Sequence, residues 1–123
     1  MSDGELRRMF RIYLPQVHWT TVESRFTESG IPDIEGCDHG RAFWVECKKT
    51  RGWTVRIRPA QIAWILRRIR VGGRVTIAVR AQGKARDELL IVRGAAVRQL
   101  RDDPLTALPP RAVLGRWKGG PKH

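Results

Sequence analysis

The run from Ala42 to Lys48, Ala-Phe-Trp-Val-Glu-Cys-Lys, constrains the fold more than any other stretch of the chain. Read as a β-strand, it sends alternate side chains to opposite faces: Phe43, Val45 and Cys47 to one, Trp44, Glu46 and Lys48 to the other. Glu46 and Lys48 therefore project side by side, a geometric consequence of their spacing. Because Trp44 shares their face, that face is not plainly turned to solvent.

The segment that follows, Lys49 to Arg58, is basic, contains Gly52-Trp53 and is expected to form a mobile or substrate-facing loop. Pro59 suits the first position of a helix running to Arg70. Ile62, Ile65, Leu66 and Ile69 fall at i, i+3, i+4 and i+7 and make its buried stripe. Arg67 and Arg70 lie off that stripe, and Gln61 and Arg68 share one edge, where the helix can meet solvent or substrate. Gly72-Gly73 ends the helix. Val75 to Val79 is a near-continuous apolar run, as a buried central strand carries.

Upstream, residues 4–13 place Leu6, Met9, Phe10 and Tyr13 at helical spacing, with Ser2-Asp3 able to cap the start and Pro15 closing the helix. Residues 17–23 are β-branched and aromatic and read as a short strand, although Thr21 to Glu28 also suits a helical turn. Ser29-Gly30 marks a turn, Ile31 to Glu35 a short strand, and Gly36 to Arg41 a polar hairpin-like connection. Downstream, Gln82 to Arg86 reads as a turn, Glu88 to Val92 as a strand, and Gly94 to Leu100 as a helix carrying Ala96, Val97 and Leu100. From Asp102 onward Pro104, Pro109, Pro110 and Pro121 break regular structure, so residues 1–100 are expected to form the domain and 101–123 a basic tail. No internal repeat is visible. The fold class is α/β: a single-domain α/β/α sandwich around a mixed central sheet.

Composition says what such a domain meets. Five tryptophans and 41% hydrophobic residues among 123 argue for a folded globule. The net charge of +12 suits a polyanion, since neutralising phosphates releases condensed counterions. It is concentrated: residues 1–60 hold 10 Lys/Arg against 8 Asp/Glu, whereas residues 61–123 hold 14 against 4. No apolar run approaches the ~20 residues of a membrane span, no secretory signal opens the chain, and a cytosolic protein is expected. Cys37 and Cys47 make no disulfide framework. With His18 and His39 they match no common zinc spacing, and Cys47 sits inside the strand.

Against this positive background, Asp33 and Glu46 form an acidic island. Hydrolysing a phosphodiester needs a nucleophilic water, a Lewis acid on the phosphoryl oxygen and help for the leaving alkoxide. Mg²⁺, or Mn²⁺ in its place, takes hard oxygen ligands and only one or two protein carboxylates. Asp33, Glu46 and the backbone carbonyl of Cys47 are the candidate ligands. Lys48 can orient the attacking water and offset charge in the transition state, and unlike Arg it can give up a proton. Lys49, Arg51, Arg56, Arg58 and Arg68 are the candidate phosphate contacts. Trp53 and Trp117 can stack on bases or simply pack.

Pro32-Asp33 followed by Glu46-Cys47-Lys48 resembles the PD-(D/E)xK nuclease superfamily, in which a strand pair presents Asp and Glu-x-Lys. Gly30-Ile31 and the later Gln61, in Arg-Pro-Ala-Gln, are similar to the branch holding archaeal-type Holliday-junction resolvases, VRR-type nuclease domains and small phage endonucleases. The resemblance covers roughly residues 17–80. It implies a restriction-endonuclease-like fold, a role for Gln61 in the site, a phage or cellular protein acting on branched or duplex DNA, and a homodimer, since paired cuts on a symmetric branch need two sites. It also implies a further acid upstream of Pro32-Asp33. Glu23, which ends the strand-like run, is the first choice for this catalytic and metal-binding role, then Glu28, then Glu5. The alternative is a nucleic-acid-binding protein that keeps the fold without the catalysis.

Overall fold

The computed structural model describes residues 3–22 and 29–119. The first helix, α1 (Asp3–Tyr13), is followed by three strands, β1 (His18–Thr21), β2 (Ile34–Asp38) and β3 (Arg41–Thr50). Helix α2 (Pro59–Arg70) leads to β4 (Val75–Gly83) and β5 (Arg86–Arg93). A short helix α3 (Val97–Asp102), flanked by 3-10 turns, precedes the last strand, β6 (Val113–Lys118). Among the described residues six strands form one sheet, in the order in which the chain makes them. Only β3 and β4 run parallel, because α2 carries the chain back across the sheet; every other neighbouring pair is antiparallel.

Strand alternation sorts the core into two layers. Val75, Ile77, Val79 and Ala81 of β4 face Ile62, Trp64 and Ile65 of α2 and Val97 and Leu100 of α3. On the other face Ala78 joins Ile34, Val45, Cys47 and Leu89 under Leu6, Met9 and Phe10 of α1. Ile65, Ile77 and Leu90 are wholly buried, each contributing about 1.5–3 kcal/mol relative to exposure. The result is the α/β/α sandwich expected, with β3 and β4 at its centre. Among the described residues no helix is long and apolar enough to cross a membrane.

Several expectations need correction. Strand β2 starts at Ile34 rather than Ile31, because Pro32 is wholly buried ahead of it and cannot donate to a ladder. It also continues through Gly36 to Asp38, and the hairpin is only His39-Gly40, both at positive φ (52° and 74°), as a two-residue turn of the primed type requires. Gly36 reads as a turn residue but is there for space. Trp19 and Phe43, its neighbours across the two ladders, meet edge-to-face with centroids 5.5 Å apart, and a Cβ on Gly36 would lie 2.6 Å from the Phe43 ring.

The segment after β3 is not wholly a surface loop: Val55 and Ile57 are buried in the α2-side core while Arg56 and Arg58 between and after them are exposed. In α2 the buried stripe takes in Trp64, leaves Ile69 only partly buried, and includes Gln61, which is 5% exposed rather than at a solvent edge. Tyr13 closes α1 largely exposed. The domain does not end at residue 100. Leu105, Leu108 and Ala112 are buried, and β6 extends the sheet by pairing antiparallel with β5 past a bulge at Ile91/Val92. Edge strands that are half solvated show no apolar alternation, which is why residues 113–118 read as tail.

Candidate active site

The β2–β3 register pairs Ile34 with Val45. Continued by one residue, it sets Asp33 opposite Glu46, and directly opposed residues of an antiparallel pair share a face. Asp33 is fixed twice. Its carbonyl accepts a hydrogen bond from the Val22 N–H (2.9 Å), and its carboxylate Oδ2 accepts one from the Cys47 N–H (2.7 Å). The other oxygen, Oδ1, lies 3.7 Å from the Arg7 guanidinium of α1. The carboxylate thus bridges from β2 to β3 at the point where their ladder has ended.

Glu46 and Lys48 follow on the α2-side face of β3, as alternation requires. Glu46 is 3% exposed. Lys48 Nζ donates to Gln61 Oε1 at 2.9 Å. The same Gln61 oxygen accepts the Arg58 backbone N–H, also at 2.9 Å, so Gln61 caps the start of α2 in a chain segment that supplies no Ser, Thr or Asp for the purpose. One side chain therefore begins the helix and holds the lysine.

A second link comes from Gly30. It takes φ +84°, and a Cβ there would overlap the Ala60 carbonyl and come within 2.9 Å of the Gln61 nitrogen. The turn leading into Pro32-Asp33 is thereby seated against the first turn of α2. Both approaches to the site, from β2 and from α2, are locked to each other.

The donor set suits a hard divalent cation. Asp33 and Glu46 offer carboxylates. Because a residue's N–H and C=O leave an extended strand on the same side, the Cys47 carbonyl is turned toward the side on which its N–H meets Asp33. One or two carboxylates with a backbone carbonyl, the remaining positions going to water, is what Mg²⁺ accepts. Among the described residues no group of three or more His, Cys, Asp or Glu side chains gathers to hold a metal, which gives the zinc reading no support.

The remaining candidates are distributed as follows. Glu23 and Glu28 lie outside the described residues. Glu5 is exposed on α1, the helix that also carries Arg7. Lys49, Arg51, Arg56 and Arg58 are exposed around the end of β3 and the start of α2. Arg68 is half-buried instead, its guanidinium stacked 4.6 Å from the Trp64 ring and 5.4 Å from the Trp44 ring. Arg7 was invisible to sequence reasoning: it flanks the apolar stripe of α1, and only tertiary packing brings it to Asp33.

The architecture has known counterparts. The structure of Archaeoglobus fulgidus Hjc, a Holliday junction resolvase from an archaeal hyperthermophile, superposes with a TM-score of 0.56 at 12% sequence identity, covering 94% of this chain and 85% of that one. No curated protein matches the chain. The model of the Hjc family, archaeal Holliday junction resolvase, matches residues 17–103, a span that takes in Asp33, Glu46, Lys48 and Gln61 together with five of the six strands. The chain belongs to the archaeal Holliday junction resolvase family and, with it, to the PD-(D/E)xK nucleases.

Proposed function

We propose that this protein is a Mg²⁺-dependent endonuclease that cuts DNA at four-way junctions, acting as a homodimer inside the cell. The observation that carries the reading is the linked pair of contacts Asp33 Oδ2 to Cys47 N and Lys48 Nζ to Gln61 Oε1, which hold two carboxylate-bearing positions and a lysine around one end of β3. Family membership supports the substrate: the Archaeoglobus neighbour is described as a Holliday junction resolvase.

Asp33, Glu46 and the Cys47 carbonyl would hold the metal, which supplies Lewis acidity at the phosphoryl oxygen and lowers the pKa of a water ligand. This chain's residues do the rest. Asp33 is kept in place by the Cys47 N–H, so it needs no reorganisation when substrate arrives. The Lys48 ammonium, steered by Gln61, orients the attacking water and offsets the charge that accumulates on the phosphoryl oxygens. Arg7, close to Asp33 Oδ1, moderates the repulsion between the two acids before the site is filled. A two-fold symmetric junction requires two such sites, hence the dimer.

The test is cleavage of a synthetic four-way junction and a linear duplex of equal length with Mg²⁺, Mn²⁺ or EDTA. Junction-selective cutting by metal-loaded protein is expected, with two symmetric nicks and a dimeric mass in sedimentation. Binding should weaken steeply with salt, given a net charge of +12. Junction binding with no cleavage under any metal would place the chain among non-catalytic binders.

A further inference from the structure

Two tryptophans left unassigned by the chemistry, Trp53 and Trp117, are about equally exposed, at 49% and 52%, and differ in what backs their rings. Trp117 folds back along β6, its ring within 2.5 Å of where a Cβ on Gly115 would lie. Trp53 is held out. The Arg86 guanidinium carbon sits 3.7 Å from its ring centroid, covering one face, and the residue is still 49% exposed. The opposite face of the indole is therefore open to solvent.

That placement is stiff. Arg86 Nη2 donates to the Gly52 carbonyl at 2.6 Å, and the Leu105 N–H donates to the Trp53 carbonyl at 2.6 Å. Thr50 Oγ1 donates to the Thr54 carbonyl at 2.8 Å and accepts from the Gly52 N–H at 3.3 Å. Val55 and Ile57 anchor the far side in the core. Four hydrogen bonds fix the loop that carries this ring. Arg51 in the same loop is exposed, as is Lys84, two residues before Arg86. Lys48 and Thr50, where the loop begins, are two residues apart, about 7 Å of strand. A flat ring backed by a guanidinium, in the loop that follows the strand carrying Glu46 and Lys48, is suited to stack on a base.

We propose that Trp53, seated on Arg86, is a stacking platform for a nucleobase whose face the branch point leaves unstacked, and that it sets the preference for branched over linear DNA. Bases in an intact duplex are already stacked on both faces and offer the ring nothing. A branch point, or a gap, exposes a base face. The inference rests on the junction-nuclease reading for its substrate, and on the Trp53–Arg86 geometry for its site.

The experiment measures binding in EDTA of the full chain, as wild type, Trp53→Ala and Trp53→Phe, to a four-way junction, a linear duplex and a duplex with a three-nucleotide gap. Circular dichroism verifies folding, and a half-exposed tryptophan should be replaceable without loss of fold. Trp53→Ala should weaken junction binding about 5- to 100-fold, the range for one base–aromatic stack. Duplex binding should stay unchanged within about twofold, as phosphate contacts alone dictate, and Trp53→Phe should recover most of the loss. A 5-iodouracil at the branch point should photocrosslink to the peptide carrying residue 53. Wild-type junction affinity in Trp53→Ala, or an equal loss on junction and duplex, overturns the proposal. Should wild type fail to discriminate junction from duplex while its affinity for the gapped duplex depends on Trp53, the stack stands and the junction reading falls.

Discussion

Lys48 Nζ and the Arg58 backbone N–H converge on a single oxygen, Gln61 Oε1, each at 2.9 Å. This couples the end of the central strand to the first turn of the helix that follows it. The lysine is thus held by the same atom that starts α2, and the two functions cannot be altered separately by truncating Gln61.

Gln61→Ala should accordingly show two effects at once. The helix loses its cap, costing about 1 kcal/mol, and Lys48 loses its orienting partner. The expected result is a lower midpoint in urea, together with a cleavage rate reduced about 10- to 100-fold, as for loss of a supporting partner in a metal site. Junction affinity in EDTA should be unchanged. Gln61→Glu, which keeps an acceptor for both donors, should restore the midpoint.

Asp33 separates structure from chemistry in another way. Asp33→Asn retains an oxygen for the Cys47 N–H but loses the charge, so it should unfold like wild type and cleave far more slowly. Asp33→Ala leaves that N–H without its acceptor and should cost a further ~1–3 kcal/mol in stability. Calorimetry of the two variants beside a cleavage assay distinguishes them; equal destabilisation by both would contradict the bond at 2.7 Å.

Gly30→Ala is expected to destabilise more than a surface change should. A β-carbon there overlaps the Ala60 carbonyl and is attached to a residue at φ +84°, a strain of about 1–3 kcal/mol. Because the turn seats Pro32-Asp33 against α2, cleavage should fall with stability rather than after it. Denaturant titration and single-turnover rates on the same preparation measure both.

Truncation after residue 100 removes β6 and the buried Leu105 and Leu108. Each leucine contributes about 1.5–3 kcal/mol, against a net stability of about 5–15 kcal/mol for a typical domain. The shortened chain should lose its cooperative unfolding transition, which thermal denaturation followed by circular dichroism would show.

How far these features were legible in the sequence depends on whether they are local. The facing of Glu46 and Lys48 follows from strand period alone, and α2 carries its own start, stripe and stop from Pro59 to Gly72. Gln61 was visible as the polar residue at the helix start, but its burial and its double acceptor role arise only when β3 lies alongside. Gly36 misled because a glycine within a strand reads as a turn until the Trp19 and Phe43 rings close over it. Val55 and Ile57 carry a period-two signal, yet the interleaved Arg56 and Arg58 made the run read as a basic loop. Strand β6 has no such signal, since it is stabilised by the edge that β5 offers. The Arg7 contact with Asp33 is purely tertiary. The upstream acid, for which Glu23 was preferred over Glu28, falls on residues outside the described structure, and its assignment stays a proposal that Glu23→Gln and Glu28→Gln cleavage rates can decide.

The central claim is that the Asp33–Glu46–Lys48 cluster hydrolyses junction DNA. The most direct measurement is the single-turnover cleavage rate of a four-way junction in Mg²⁺ for wild type, Asp33→Asn and Lys48→Ala, at protein concentrations saturating for binding. Both variants should bind the junction with wild-type affinity in EDTA and cleave it about 10²- to 10³-fold more slowly, the usual cost of removing one preorganised electrostatic group. Cleavage at the wild-type rate by both variants would contradict the assignment and move the active site elsewhere on the chain.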